Sequence, residues 1–344
     1  MKKNISIFFV ASPLQILASR AIAQNFDKNR DHIIVYYKKN LKKIIDTAHW
    51  YKNIYMPWPR YDPLPGFFGV FKRLGRNLEL IDRIIDDCES LFFYSAVYDT
   101  EAINYFVSYI KKKFNEREHS FRIIPDGLIS MQKNPLKPIS KILKKSRNLR
   151  RLFNKNLVYT HFDGDRIGAD ADFIDLIYVL KGLPHQYDEN KVKILPELVK
   201  NPKFIKKENT RKKVLIVGQP LKGFRLMKSV DIDLTKRVIL RWISENEISD
   251  TYYKKHPKDS ENTLNDKSFI QLEDDISIEL HLAKNNYDCI IGVNSTALLL
   301  ATQICPSGTT IISFGLEKVK YKSIYSKNLL KDTFENFGIM IKEI

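Results

Sequence analysis

C-I-I-G-V-N-S-T-A-L-L-L-A, residues 289–301, is an apolar run broken by a glycine, an asparagine and two hydroxyls before it resumes. A buried strand ending at Ile291 and a helix starting near Ser295 produce that pattern. The hydroxyls then stand where a helix leaves backbone N–H groups unpaired. Strand, polar turn and helix form the unit of an α/β protein, and the unit repeats on both sides of this stretch. Thr309–Ser313 reads as the next strand. Upstream, K-V-L-I-V-G at 213–218 is a buried strand ending in glycine, Lys236–Asn246 a helix, and Thr251–Lys255 and Phe269–Leu272 two further strands.

The first half of the chain follows the same grammar. Ile5–Val10 is a buried strand, and P-L-Q-I-L-A-S-R-A-I-A-Q-N-F behind Ser12 is a helix opened by Pro13. Strands follow at His32–Tyr37, near Ile54, at Leu91–Tyr94 and at Ser120–Ile124. Helices are expected near Leu41–Ala48, at Lys72–Asp87 and at Thr100–Lys112. This alternation predicts a mostly parallel sheet in each half. A chain of 344 residues suits two domains of about 150 residues each. The expected division is an N-terminal domain over 1–185, a connector over the polar, Lys-rich 186–210, and a C-terminal domain over 211–344. The basic start followed by a short apolar run imitates a signal peptide, but Pro13 and Gln15 arrive too early, so a first strand is expected instead. No run of 18 apolar residues spans a membrane.

The formal charge of +17 favours polyanionic partners. No paired-cysteine finger, aromatic RNP-like strand pair or repeat accompanies it, which argues against specific nucleic-acid binding. Between Lys133 and Lys155 stand nine Lys or Arg residues and no Asp or Glu. Within that region Lys141–Phe153 reads as a basic amphipathic helix, either packed on the domain as a solvated element or facing an anionic membrane. Cys88, Cys289 and Cys305 lack ligand spacing and read as small buried hydrophobes.

Three short places carry candidate chemistry, each just past a strand. F-R-I-I-P-D-G-L-I-S at 121–130 puts Asp126 at a strand end, either in an ordinary turn or as a base that takes a proton from a hydroxyl. Y-Y-K-K-H-P-K-D at 252–259 delivers His256 into a positive field where it suits a phosphate oxygen. Ser295 and Thr296 either cap a helix or, with its N–H groups, cradle a phosphate. A dinucleotide G-x-G-x-x-G and a G-x-x-x-x-G-K-S/T loop are both absent. D-x-D spellings at Asp163–Asp165, Asp170–Asp172 and Asp231–Asp233 follow no convincing buried strand, so no metal-held diphosphate is expected. A base, a phosphate-directed histidine and an anion cradle suffice to move a sugar from a nucleotide to a hydroxyl.

The order S-P-L-Q, D-G, H-P and S-T, spread over roughly residues 10 to 300, resembles the bacterial sialyltransferases of the lipooligosaccharide and polysialic acid branches. That resemblance implies an α/β fold of two Rossmann-like domains facing across a cleft, the GT-B arrangement. It implies an inverting, metal-independent glycosyltransferase using CMP-activated sialic or related nonulosonic acids, with no cofactor. Asp126 would be the catalytic base. Pro125 stands where the family's motif has its first acid, which leaves the orienting role unfilled. His256 and Pro257 match the H-P motif that contacts the donor phosphate and assists departure of CMP, and Ser295 and Thr296 match the paired hydroxyls that hold it. Gly218, Gln219 and Pro220 resemble the donor-domain loop. The acceptor would be an oligosaccharide or glycolipid of a bacterial surface glycan. The protein would then sit in the cytoplasm, peripheral on the inner face of the inner membrane, with 133–155 meeting the anionic surface. Alternatives are a GT-B enzyme using a UDP or GDP sugar, and a non-catalytic basic module that binds an acidic polymer.

Overall fold

Ile5 to Val10 are buried without a break, the mark of a strand covered on both faces. The computed structural model describes residues 3–86, 88–127, 130, 132–136, 142–144, 146–198, 211–256, 258–273, 276, 278–321 and 323–344. The chain divides into two compact units, Met1–Pro196 and Glu197–Ile344.

The first unit runs β1 (Lys3–Val10), α1 (Pro13–Asn25), β2 (Asp31–Tyr36), β3 (Lys52–Tyr55), α2 (Gly69–Ile85), β4 (Cys88–Ser95), α3 (Glu101–Lys113), β5 (His119–Ile123), β6 (Ile174–Leu180) and β7 (Val192–Leu195). Its sheet has the order β3-β2-β1-β4-β5-β6-β7 with every pair parallel. Phe9, Phe93, Phe106 and Phe121 fill the layer between sheet and helices. The second unit runs β8 (Lys213–Val217), α4 (Ser229–Glu245), β9 (Asp250–Lys254), β10 (Ile270–Gln271), α5 (Ile278–Lys284), β11 (Cys289–Gly292), α6 (Thr296–Ile304), β12 (Thr310–Phe314), α7 (Ile324–Asn336) and β13 (Met340–Lys342). Its sheet order is β10-β9-β8-β11-β12-β13, again all parallel. Both orders reverse direction beside their first strand, so each sheet has a topological switch point, between β1 and β4 and between β8 and β11. Ligands of such sheets bind beyond the carboxyl ends of the strands at that point.

Three sequence expectations need correction. The helix expected near 41–48 is a pair of 310 turns, Lys39–Lys43 and Thr47–His49. Asp46 closes the second by accepting a hydrogen bond from the Ala48 N–H at 3.1 Å. The connector expected from residue 186 begins later, because the β-rich V-K-I-L of β7 pairs with β6 and extends the first sheet. Residues 199–210 lie outside the described residues.

The third correction concerns the basic amphipathic segment expected over 141–153. Its described part is chiefly a 310 stretch, Ser146–Leu152, and its faces are reversed. Lys144 pairs with Asp99, and Arg150 with Glu101, while Ile142 and Leu149 are 70% and 66% exposed. Lys144 and Arg150 hold the segment to the domain, Phe153 stacks on Phe71, and Ile142 and Leu149 point away from it. Among the described residues no helix is long and apolar enough to cross a membrane. All three cysteines are buried thiols that form no disulfide, and burial pushes the Cys289 and Cys305 thiols up to about 12, which keeps them protonated and inert.

Candidate active site

β5 ends at Ile123, and the chain leaves the sheet through buried Ile124 and Pro125 to half-buried Asp126. Gly127 follows with φ 58°, a left-handed turn that a side chain would strain. The Asp126 N–H donates to Ser130 Oγ at 2.8 Å, which fixes the backbone under the carboxylate.

The carboxylate itself is held from the other side of the switch point. Ser12 caps α1 by accepting from the Gln15 N–H at 3.3 Å, and Pro13 opens the helix. Ser and Gln at this spacing spell a capping box, in which the glutamine side chain reaches back along the chain. Here Gln15 Oε1 accepts from the Ala11 N–H at 2.6 Å. That bond turns the amide so that Nε2 donates to Asp126 Oδ1 at 2.8 Å. Gln15 is 3% exposed, so its orientation is set by these partners rather than by water.

Burial raises the Asp126 carboxyl above the usual carboxylate range, against the lowering effects of the Gln15 hydrogen bond and the Lys38 charge. A carboxylate with increased proton affinity is a better base. The Tyr37 hydroxyl is pushed up by its burial and by the charges of Asp126 and Tyr61. Tyr37 also lies against Trp58, their rings 4.4 Å apart. Trp58 and Tyr61 line a cavity of about 360 Å³ with Arg60, Arg147 and Arg166, beside Asp99 and Glu101.

In the second unit three strand ends meet. Gly218 follows β8, and its N–H donates to the Lys254 carbonyl at 2.9 Å. A Cβ on Gly218 would sit 2.9 Å from that oxygen and 3.0 Å from the His256 nitrogen, so only glycine lets the ends of β8 and β9 approach this closely. Gln219 is buried and spends its carboxamide on the loop after β11. Its Oε1 accepts from the Val293 and Asn294 N–H groups at 2.9 and 3.1 Å, and its Nε2 donates to Asn294 Oδ1 at 2.8 Å. Its carbonyl accepts from Thr263 Oγ1 at 2.8 Å, and Thr263 in turn is held by Asp259. Pro220 is buried next to it.

His256 stands half-buried past the end of β9, and its Nδ1 accepts from the Lys258 N–H at 3.1 Å. An accepting Nδ1 is unprotonated, so the ring's proton is on Nε2. Burial, and next the Lys258 charge, push the imidazole below its ordinary value, with Asp259 opposing. At neutral pH the ring is therefore a neutral Nε2–H donor. Pro257 lies outside the described residues. Ser295 caps α6, its Oγ accepting from the Ala297 N–H at 3.2 Å, and its own O–H keeps a proton to donate. Thr296 is the first residue of that helix and is half-buried.

Seven of the eight sequence-selected residues thus fall in the second unit, and Asp126 in the first. Hydrogen bonds tie Gly218, Gln219 and the loop before Ser295 into one frame, with the His256 nitrogen beside Gly218. Sequence reading left out Gln15 as a partner of Asp126, and Asn294, Thr263 and Asp259 as the frame's other members. The S-P-L-Q word held the signal for Gln15, and Asn294 and Asp259 stood inside the quoted words without a role. Two D-x-D spellings serve the backbone: Asp165 accepts from the Asn134 N–H at 2.8 Å and Asp170 from the Asp165 N–H at 3.0 Å. Among the described residues no group of three His, Cys, Asp or Glu side chains could hold a metal ion.

Among solved structures, the glycotransferase of kitacinnamycin aligns with 100% of this chain and 87% of its own length at a TM-score of 0.52 and 9% identity. A UDP-N-acetylglucosamine 2-epimerase aligns with 100% of this chain and 84% of its own at 0.50 and 10% identity. Likeness at such identity speaks for fold alone, and it is the two-domain α/β fold of the GT-B type. No curated protein matches. A family model described as Alpha-2,8-polysialyltransferase (POLYST) matches residues 6–313. That match runs from β1 into β12 through both units and takes in Asp126, Gly218, His256 and Ser295, and on it the chain belongs to the alpha-2,8-polysialyltransferase family, as a sialyltransferase-like glycosyltransferase.

Proposed function

We propose that the enzyme moves sialic acid or a related nonulosonic acid from its CMP donor to a hydroxyl of a bacterial surface glycan, by a single inverting displacement and without a divalent metal. The observation that carries this reading is a strand-end carboxylate, raised in proton affinity by burial and held at one oxygen by Gln15. Such a group has the chemistry of a base for a sugar hydroxyl.

In this reading the acceptor O–H gives its proton to Asp126 as its oxygen bonds to the anomeric carbon. The bond from that carbon to the phosphate oxygen breaks, and the electron pair leaves with CMP. Charge develops on the phosphate, and the donors assigned to it are His256 Nε2–H, the Ser295 and Thr296 hydroxyls and the start of α6. Donors already in place for that charge stabilise the transition state more than the ground state. A neutral His256 is sufficient, because a phosphate monoester has a second pKa near 6 and its oxygen needs no full proton to leave at neutral pH. Gln15 takes the orienting role that Pro125 leaves unfilled in the D-G motif. Gly218 and Gln219 shape the donor loop, Gln219 through backbone bonds rather than through the nucleotide.

The acceptor would enter beside Trp58 and Tyr61, in the cavity where Arg60 and Arg147 pair with Glu101 and Asp99 and exposed Arg166 could meet a sugar carboxylate. The linkage in the family's name would make that sugar a sialic acid at the end of a chain. The remaining partner in this reading is an anionic membrane surface met through 133–155, on the cytoplasmic face of the inner membrane, where glycolipid acceptors are made. A non-catalytic polymer-binding role falls away with membership of the enzyme family.

The donor is tested by incubating the enzyme with CMP-sialic acid, its legionaminic and pseudaminic relatives, and UDP and GDP sugars, against defined acceptors with and without a chelator. Transfer with release of CMP, undiminished by the chelator, is the expected result. Release of UDP or GDP with product would replace the donor, and loss of transfer with the chelator would remove the metal-free mechanism.

A further inference from the structure

We infer that two segments of the first unit, 66–71 and the described residues of 142–153, form one apolar wedge that enters the hydrocarbon edge of an anionic bilayer. This deepens the membrane-facing part of the proposed function and rests on none of its catalytic part. Phe67 is 97% exposed and Leu152 85%, and Phe68, Leu143, Leu149 and Phe153 are also exposed. The phenylalanines among them are not scattered. Phe153 stacks on Phe71 with ring centroids 5.0 Å apart, and Phe68 lies 4.8 Å from Phe153. Phe67 adjoins Phe68 at 5.5 Å. Residues some eighty positions apart in the chain are thus brought into one surface. Contiguous exposed apolar surface of this kind marks an interaction site.

The charges choose the occupant. Lys144 and Arg150 are turned back to Asp99 and Glu101, so they pin the segment instead of solvating its tip. Around the wedge, Lys72, Arg76, Arg151 and Lys155 are exposed. An apolar tip with exposed cations in or next to both of its segments fits acyl chains beneath anionic headgroups. A second copy of the chain would set the same cations against one another, and the formal charge of +17 adds to that repulsion. An acidic protein would satisfy the cations but leave Phe67 and Leu152, the most exposed apolar residues, without hydrocarbon to enter.

Full-length enzyme is sedimented with vesicles of phosphatidylethanolamine and phosphatidylglycerol, and with vesicles of phosphatidylcholine alone. Wild type is expected to bind the anionic vesicles, and a fraction should remain bound at about 1 M salt, where the Debye length is about 3 Å. The double variant Phe67→Ser/Leu152→Ser should bind at least ~tenfold more weakly, the scale of withdrawing two large side chains from hydrocarbon. Both residues are nearly free of contacts, so its thermal midpoint should match wild type, as should its transfer to a short soluble acceptor. Arg151→Glu/Lys155→Glu should weaken binding at low salt and reduce its salt dependence. Asp126→Asn should bind vesicles as wild type does, which separates this inference from the transferase reading. The inference is overturned if wild type does not bind, if the serine variant binds equally well, or if light scattering shows a dimer that the serine variant loses.

Discussion

Asp126→Asn is expected to lower kcat/KM for transfer by about 10²- to 10⁴-fold, the range for removing a positioned base, while raising thermal stability at pH 7. The two effects have one cause. Burial raises the folded pKa of Asp126 above its ordinary value of 3.8, so the folded state holds this proton more tightly than the unfolded chain does. At neutral pH the group is ionised in both states, and the ionised form is the one that burial penalises, so it costs stability. Asparagine keeps an oxygen for the Gln15 amide and removes the charge. The stability advantage of the variant should shrink as pH falls through the raised pKa and vanish below the unfolded one. A variant that is less active and melts higher has not lost activity by unfolding. Equal activity in variant and wild type would remove Asp126 from the chemistry.

Gln15→Leu tests the same unit without touching the carboxylate. Losing a donor to the ionised form should push the acid limb of the kcat/KM profile to higher pH and reduce its plateau. A structural loss alone would lower the plateau and leave the limb where it was.

His256→Ala is expected to cost about 10²- to 10³-fold in kcat, the range for removing one preorganised donor from a developing anion. His256→Gln separates two roles for the ring. A glutamine amide can put an N–H near the place of Nε2 but cannot give up a proton, so recovery of an appreciable part of the rate supports a neutral donor. The accepting Nδ1 and the lowered pKa both favour that role. An essential imidazolium would instead make wild-type activity fall as pH rises through a value below 6.5, the ordinary histidine pKa. Kinetics from pH 5 to 9 on wild type and both variants distinguish the two.

The sheets were legible in the sequence because parallel strands buried on both faces write themselves as short apolar runs, as at Ile5–Val10 and Val214–Val217. The strand ends that carry the candidate residues were legible for a related reason: D-G, H-P and N-S-T each interrupt such a run with residues that turn or cap. β7 was missed because V-K-I-L alternates and is mostly exposed, so composition classed it with the polar stretch around it. The inward turn of Lys144 and Arg150 was not legible, because their partners Asp99 and Glu101 lie more than forty residues upstream. Gln15 and Asp126 are separated by 111 residues. Their bond depends on β1 and β5 lying in one sheet with only β4 between them, which no local pattern announces.

The anomeric configuration of the newly formed glycosidic bond, read by NMR, tests directly whether one carboxylate drives one displacement. Inversion relative to the CMP donor is the predicted outcome, with no glycosyl-enzyme detectable by mass spectrometry. Retention of configuration, or a sugar trapped on Asp126, would contradict it.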